Sequence, residues 1–350
     1  MTELWTALFE PPTAIARLAK EREAQGWDGA VFGDTPYFLG DPYALMAAAA
    51  VATSRLRLAT AVTNTASRDT SVTAAAISTV HAISGGRAVL GIGRGDSAVA
   101  NLGLRPLPGA RFAADLARLR TLLHGGSVET PSPPAPLGTS GAAREARMTW
   151  LDPGLAPPPI EVYGSGPRTI ELAARIADRL TISVGADPER AAWATATARA
   201  AERDPALAPL RTGLTLVVAP HEDLETALAL AAGYAATHAR FAAMGGRAVG
   251  AMASTDAATV GALARTYDLS SHGNAAAEHA TALDREFLAR FAVVGRPEDC
   301  VRRLLDLVAG GLDHLVLIPP GKEGATEARS RSLELLNEAV LPALREALAA

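Results

Sequence analysis

Short apolar runs alternate along this chain with longer stretches whose apolar residues recur three or four positions apart, the pattern of strands that feed amphipathic helices. Thr2–Phe9 is the first such run. Pro11-Pro12 then opens a helix with Ile15, Leu18 and Ala19 on one face, ended by Gly26-Trp27-Asp28. Ala30-Val31-Phe32 predicts a second strand and Pro42–Thr53 the helix after it. Leu56–Thr63 predicts a third strand, followed by a helix with Val72, Ala76, Val80 and Ile83 on one face and a stop at Gly85-Gly86. Ala88–Ile92 is the fourth, and its helix carries Phe112, Leu116, Leu119 and Leu123 before Gly125-Gly126.

Residues 127–159, rich in Pro, Gly and Ser, interrupt this rhythm. They read as a domain linker or as a loop inserted over a site, and the cadence resuming unchanged favours the loop. Ile160–Tyr163, Leu180–Val184, Thr212–Ala219 and His314–Ile318 bring the strands to eight. Helices are expected over Pro167–Asp178, Pro188–Arg203, Pro297–Ala309 and about Glu327–Leu348, with a long helical stretch Leu224–Leu288 broken near Gly245-Gly246 and at Ser270–Gly273. Eight strands alternating with helices are what a closed α/β (β/α)8 TIM barrel requires. The prediction is one domain over 1–350, with an irregular loop at about 127–159 and a helical insertion at about 240–290.

Composition narrows the class. The chain is 49% hydrophobic and 20% charged, which suits a protein with a substantial core. A net charge of −4 gives no electrostatic reason to expect nucleic acid as a partner. The single cysteine, Cys300, excludes an intrachain disulfide and argues against a cysteine-rich metal site. No apolar run reaches the roughly 20 residues of a membrane span, and the N-terminus lacks the pattern of a signal peptide, so a cytoplasmic enzyme with a small-molecule substrate is the expectation.

In such barrels the site lies at the carboxyl ends of the strands. The polar residues there are Glu10, Asp34-Thr35, Thr63-Asn64, the turn Gly93-Arg94-Gly95-Asp96-Ser97, and Gly164-Ser165-Gly166. Glycines in a turn let the backbone approach a flat or phosphorylated ligand. Gly164-Ser165-Gly166-Pro167 is the best anion candidate, beside the plainer reading of an ordinary strand–helix junction. Gly91-x-Gly93-x-Gly95 lacks the G-x-G-x-x-G spacing of a dinucleotide fold. Arg94 reads as an anion contact or as a partner of Asp96 or Glu10. Asp34 reads as a pocket carboxylate or a turn cap. The seven histidines show no metal-ligand spacing, and no metal site is predicted; His272 and His279 read as solvated positions. There is no G-x-S-x-G elbow.

Four segments in this order carry a family resemblance: Gly26-Trp27-Asp28 through Gly33-Asp34; Ala61-Val62-Thr63-Asn64 continuing to Arg68 and Val72-Thr73-Ala74; Gly91–Gly103; and Gly164–Asp178. The chain resembles the bacterial luciferase-like superfamily, in particular its branch that uses the deazaflavin coenzyme F-420, and within it the methylenetetrahydromethanopterin reductase group. The resemblance implies a luciferase-like TIM barrel and a homodimer. It places a non-prolyl cis peptide at Ala61-Val62 behind the deazaflavin ring, Thr63 and Asn64 beside it, and Asp34 as the carboxylate ending strand two, with Thr35 next to it. Arg94 and Ser97 fall where the family contacts substrate or the ring edge. Gly164, Ser165 and Gly166 match the turn that holds the coenzyme phosphate. Many deazaflavin members carry Asp-His at the end of strand two, whereas this chain has Asp34-Thr35, so acid or base help must come from elsewhere, with Asp34, Glu10 and Tyr37 as candidates.

The leading expectation is therefore an oxidoreductase that passes a hydride between F-420 (an 8-hydroxy-5-deazaflavin) and a small organic substrate, reducing a C=N or activated C=C bond. Asp34, Glu10 and Arg94 are its candidate catalytic residues. An FMN-dependent monooxygenase on the same fold is the alternative. A barrel without catalysis, serving as a binding protein, is the third reading.

Overall fold

Eight parallel strands close on themselves: β1 (Glu3–Ala7), β2 (Gly29–Phe32), β3 (Arg57–Thr60), β4 (Ala88–Ile92), β5 (Ile160–Gly164), β6 (Arg179–Ile182), β7 (Arg211–Pro220) and β8 (His314–Ile318). Each pairs with the next, β8 pairs with β1, and β6 with β7, which leaves no open edge in the barrel. The molecule is known from a computed structural model that describes residues 1–130, 144–243, 247–321 and 326–350.

The side chains alternate as a two-residue period requires. Trp5, Ala7, Val31, Ala59, Val89, Val316 and Ile318 form one apolar cluster, the barrel interior. Their neighbours Leu4, Ala30, Phe32, Leu58, Leu90 and Leu315 belong to the larger cluster between sheet and helices. The helices are α1 (Ile15–Gln25), α2 (Pro42–Ala52), α3 (Thr70–Ile83), the short α4 (Ser97–Asn101), α5 (Gly109–Leu123), α6 (Pro167–Ile176), α7 (Pro188–Arg199), α8 (Leu224–Ala239) and α9 (Ser254–Thr266), then Glu278–Thr281, Arg285–Phe291 and Pro297–Val308. The C-terminal segment is helical from Thr326 to Ala349, with a π-helical turn at Leu336–Val340.

Charge closes the floor of the barrel. Glu3, Arg57, Arg179, Arg211 and His314 each begin a strand, and Glu161 is the second residue of β5. Glu3 accepts from Arg57 at 2.8 Å, Arg211 at 2.7 Å and Arg179 at 3.0 Å. Glu161 lies 3.0 Å from His314 Nε2 and 3.6 Å from Arg179, and accepts from the Thr181 hydroxyl. The arginines hold both carboxyls down at about 2, against the upward push of burial.

Three expectations change. Val72 and Ile83 do not face the core: they are exposed, and α3 instead buries the stripe Thr73, Ala74, Ile77, Ser78, Val80 and His81. The 127–159 region is not wholly irregular, since Val128–Thr130 pairs antiparallel with Arg144–Ala146; residues 131–143 lie outside the described ones. The stretch after β7 carries α8, α9 and shorter helices over a core of its own, built from Leu228, Ala235, Val260, Leu263, Phe287 and Phe291 among others. It ends in an unforeseen short strand, Val293–Gly295, that extends the sheet along β7. The predicted break at Gly245-Gly246 falls on residues outside the described ones.

Candidate active site

Two glycines shape the mouth between β3 and β4. A Cβ on Gly91 would lie 1.7 Å from the Thr60 carbonyl oxygen, so β4 can approach the end of β3 only with glycine there. Beyond Thr60 the Ala61-Val62 peptide is cis. The chain then returns to β4: Thr63 N–H donates to Gly91 O and Gly93 N–H to Thr63 O, both at 3.0 Å. Gly95 adopts φ +85°, and a Cβ there would meet Val99 at 2.7 Å, which fixes the turn that swings Asp96 and Ser97 over the mouth.

Asp34, at the end of β2, is 5% exposed and accepts from Thr63 Oγ1 at 2.7 Å. Arg68 Nε is 3.9 Å away, while Arg68 Nη2 binds Asp41 at 2.8 Å and the guanidinium lies over the Tyr43 ring. Burial raises the Asp34 carboxyl above its ordinary value, and Thr63 and Arg68 only partly oppose this. Asp34 and Thr63 are thus brought together beside the cis peptide. Asn64 is turned away: its Oδ1 accepts from Ala66 N–H, Ser67 N–H and Ser67 Oγ, which folds its own loop. Thr35 accepts through its carbonyl from Phe38 and Leu39 N–H, and Tyr37 is 68% exposed.

Glu10 and Arg94 do not meet. Glu10 accepts from Arg329 at 2.9 Å, and Arg94 Nε donates to Leu107 O at 2.6 Å, holding the loop after α4. The cation that binds the glycine-rich turn is Arg240, just after α8: its Nη2 reaches Ser97 Oγ at 2.8 Å and Asp96 Oδ2 at 3.2 Å. Its guanidinium covers the Tyr267 ring at 4.6 Å. Tyr267 OH contacts His272 Nδ1 at 2.9 Å and Thr237 Oγ1 at 2.8 Å, and the His272 ring stacks on Phe38 of the β2 loop. His238 Nδ1 meets Ser183 Oγ at 2.9 Å. Burial, with Arg240 nearby, pushes His238 and His272 down to about 4, so both are neutral at neutral pH. His272 and His279 are not simply solvated: His279 is 3% exposed and packs on Tyr267, and His272 is half-buried between Tyr267 and Phe38.

Sequence reasoning missed Arg240, Tyr267 and His238. The available signal was a cluster of aromatic, cationic and imidazole groups, Thr237-His238-Ala239-Arg240-Phe241, in an otherwise alanine-rich insertion.

At the end of β5, the strand paired with β4, Gly164-Ser165-Gly166 leads into α6. Gly166 is the N-cap, no side chain caps this terminus, and a Cβ on Gly166 would meet open space. The first N–H groups of α6 and its dipole thus face an unfilled approach, with the Ser165 hydroxyl alongside. Among the described residues no group of three or more His, Cys, Asp or Glu side chains is placed to hold a metal ion. Nor is any helix there long and apolar enough to cross a membrane.

A closed barrel with a buried carboxylate, a glycine-rich turn and an open helix N-terminus on its carboxyl face defines a cofactor-using enzyme of the TIM-barrel class. A family model described as "Luciferase-like monooxygenase" matches residues 3–314, and the chain belongs to that family. It is an oxidoreductase of the luciferase-like superfamily. It is 31% identical over 307 residues (86% of this chain, 82% of the relative) to an F420-dependent glucose-6-phosphate dehydrogenase of Beutenbergia cavernae. It is 31% identical over 178 residues to a 5,10-methylenetetrahydromethanopterin reductase of Methanolobus tindarius, a match that spans 50% of this chain and 51% of that one. In fold it is similar to the coenzyme F420-dependent tetrahydromethanopterin reductase of Methanopyrus kandleri (TM-score 0.71, 21% identity, 98% of this chain and 99% of that one). It is also similar to an F420-dependent secondary alcohol dehydrogenase, with TM-score 0.70 and 17% identity over 98% of this chain and 99% of that one.

Proposed function

We propose that the protein transfers a hydride between coenzyme F-420 and a small organic substrate, reducing a C=N or activated C=C bond. The observation that carries this reading is the shape of the mouth: a cis-peptide bulge beside Asp34 and Thr63 after β3, and an uncapped glycine-led helix N-terminus after β5, with the glycine-rich β4 turn between them. The residues present fit the coenzyme. Ser165, Gly166 and the start of α6 would hold its phosphate, and a Cβ at Gly166 would stand in that approach. Ala61 and Val62 would back its ring, with Thr63 and Asp34 at the ring edge. When bound, the coenzyme supplies hydride chemistry at C5. The protein's share is orientation, which holds the reacting carbon at attack distance over the exposed ring face. Arg240 binds Asp96 and Ser97 and so holds the β4 turn that borders this mouth.

The test is a fluorescence titration with oxidised F-420, and with FMN in parallel. Micromolar binding of F-420, weakened at least tenfold in Ser165→Asp by like charge at the phosphate, is the expected result. Binding of FMN alone would move the protein to the flavin monooxygenases of its family, and binding of neither would favour a barrel without catalysis.

The working unit on this reading is a homodimer joined through α2 and α3. Neither helix contains Asp, Glu, Lys or Arg, yet Ala44 and Val51 of α2 and Val72, Thr79, Ala82 and Ile83 of α3 are exposed. An uncharged two-helix face of this kind suits a second copy of the chain.

A further inference from the structure

The hydrogen bonds around Tyr267 accommodate a proton arrangement that leaves His272 Nε2 bare. The Thr237 hydroxyl donates its one proton to Gly233 O at 3.1 Å. With that proton on Gly233 O, the 2.8 Å contact with Tyr267 OH takes Tyr267 as the donor. The 2.9 Å contact between Tyr267 OH and His272 Nδ1 then takes the imidazole proton on Nδ1. A neutral imidazole with its proton on Nδ1 carries a lone pair on Nε2. Among the described residues no hydrogen-bonding group meets Nε2.

The ring is also held in place. Phe38 stacks on it with ring centroids 5.9 Å apart, and Tyr267 meets it edge-on at 6.0 Å. Phe38 belongs to the loop that carries Asp34, and Tyr267 lies under the arginine that binds Asp96 and Ser97. His272 thus sits between the loops that follow β2 and β4, on the carboxyl face of the barrel. The charged and titratable groups around it are His238 on α8, Arg240 after it, Asp96 in the β4 turn, His279 beyond Tyr267, and Tyr267 itself; the β2 loop presents Phe38. Thr35, at the end of β2, has no group that titrates in the physiological range.

We infer that His272 is the proton acceptor of the active site, and that the substrate is a member of an amine/imine or alcohol/ketone pair, with a heteroatom on the reacting carbon. This rests on the proposed hydride-transfer function and narrows it. In the oxidative direction the substrate C–H bond breaks with its electron pair leaving as hydride to the coenzyme, which is reduced by two electrons. The N–H or O–H bond breaks with its proton passing to Nε2, and a C=N or C=O bond forms. In the reductive direction the imidazolium returns that proton to the heteroatom. Tyr267 is the positioning residue: it fixes the tautomer and holds the lone pair outward.

The first test needs no substrate. Nitrogen-15 NMR of the histidine-labelled full chain should show His272 protonated at Nδ1 and bare at Nε2 at neutral pH. Tyr267→Phe should move the proton to Nε2. A wild-type His272 with its proton on Nε2 would overturn the inference. The second test uses 1-pyrroline, acetone and 2-cyclohexenone with reduced F-420. His272→Gln should leave F-420 affinity within twofold and lower turnover of the imine or ketone by about 10²–10⁴-fold, with partial rescue by added imidazole. Unchanged turnover in His272→Gln would overturn the inference, as would a wild type that turns over only the activated alkene. The titration of wild type with F-420 judges the coenzyme reading separately, since the NMR result does not depend on it.

Discussion

Asp34 shows the conflict that a single side chain can carry. Its carboxyl is buried beside one hydrogen-bond donor, with a guanidinium 3.9 Å away that is shared with Asp41. Its pKa is raised in the folded chain, so the native state binds the proton more tightly than the unfolded one. The stability it contributes is present below the unfolded pKa and is lost as pH rises through the folded one. Asp34→Asn should therefore melt no lower than wild type near pH 3 and gain on it as pH rises to 8, while losing most of its turnover. Thermal melts across pH check this, and a variant that is less stable than wild type at pH 8 would contradict it. Asp34 and Thr63 were legible in the sequence because each ends an apolar run. Arg240 and its pairing with Asp96 were not: 144 residues separate them, and only the folded insertion brings them together.

At the scale of the element, the strand starts do as much as the strand ends. The floor network places Glu161 among Arg179, His314 and Thr181, all nearly without solvent access. Removing its charge leaves Arg179 buried with Glu3 as its remaining carboxylate. Glu161→Gln should cost about 3–5 kcal/mol in urea unfolding at pH 7. Because Glu161 and Glu3 both titrate at about 2 in the folded chain against 4.5 ordinarily, their contribution is present above pH 4.5 and lost as pH falls towards 2. The stability of wild type should fall steeply over that window, and that of Glu161→Gln less so; parallel curves would contradict the assignment. This network was not legible beforehand, since period-two apolar patterns locate strands but not what their first residues meet across a closed barrel. The α3 face misled for a related reason: Val72 and Ile83 share a face, and that face points outward.

For the whole molecule, the eightfold alternation was enough to predict closure, because a parallel strand needs a crossover helix and eight such units close a barrel. What it left out was the insertion's contribution to the mouth, which depends on contacts and not on periodicity. The uncharged α2/α3 face makes a prediction at this scale. Val72→Arg with Thr79→Arg should shift the sedimentation of the chain from dimer to monomer, and a wild type that sediments as a monomer would contradict the proposed assembly. The central claim is hydride transfer from the deazaflavin. Its most direct measurement is the fate of deuterium placed at C5 of reduced F-420, followed by mass spectrometry of the product under anaerobic conditions with 1-pyrroline or acetone as acceptor. One deuterium on the reduced carbon and no need for dioxygen are expected. Turnover that requires dioxygen and FMN, with no deuterium in the product, would contradict it.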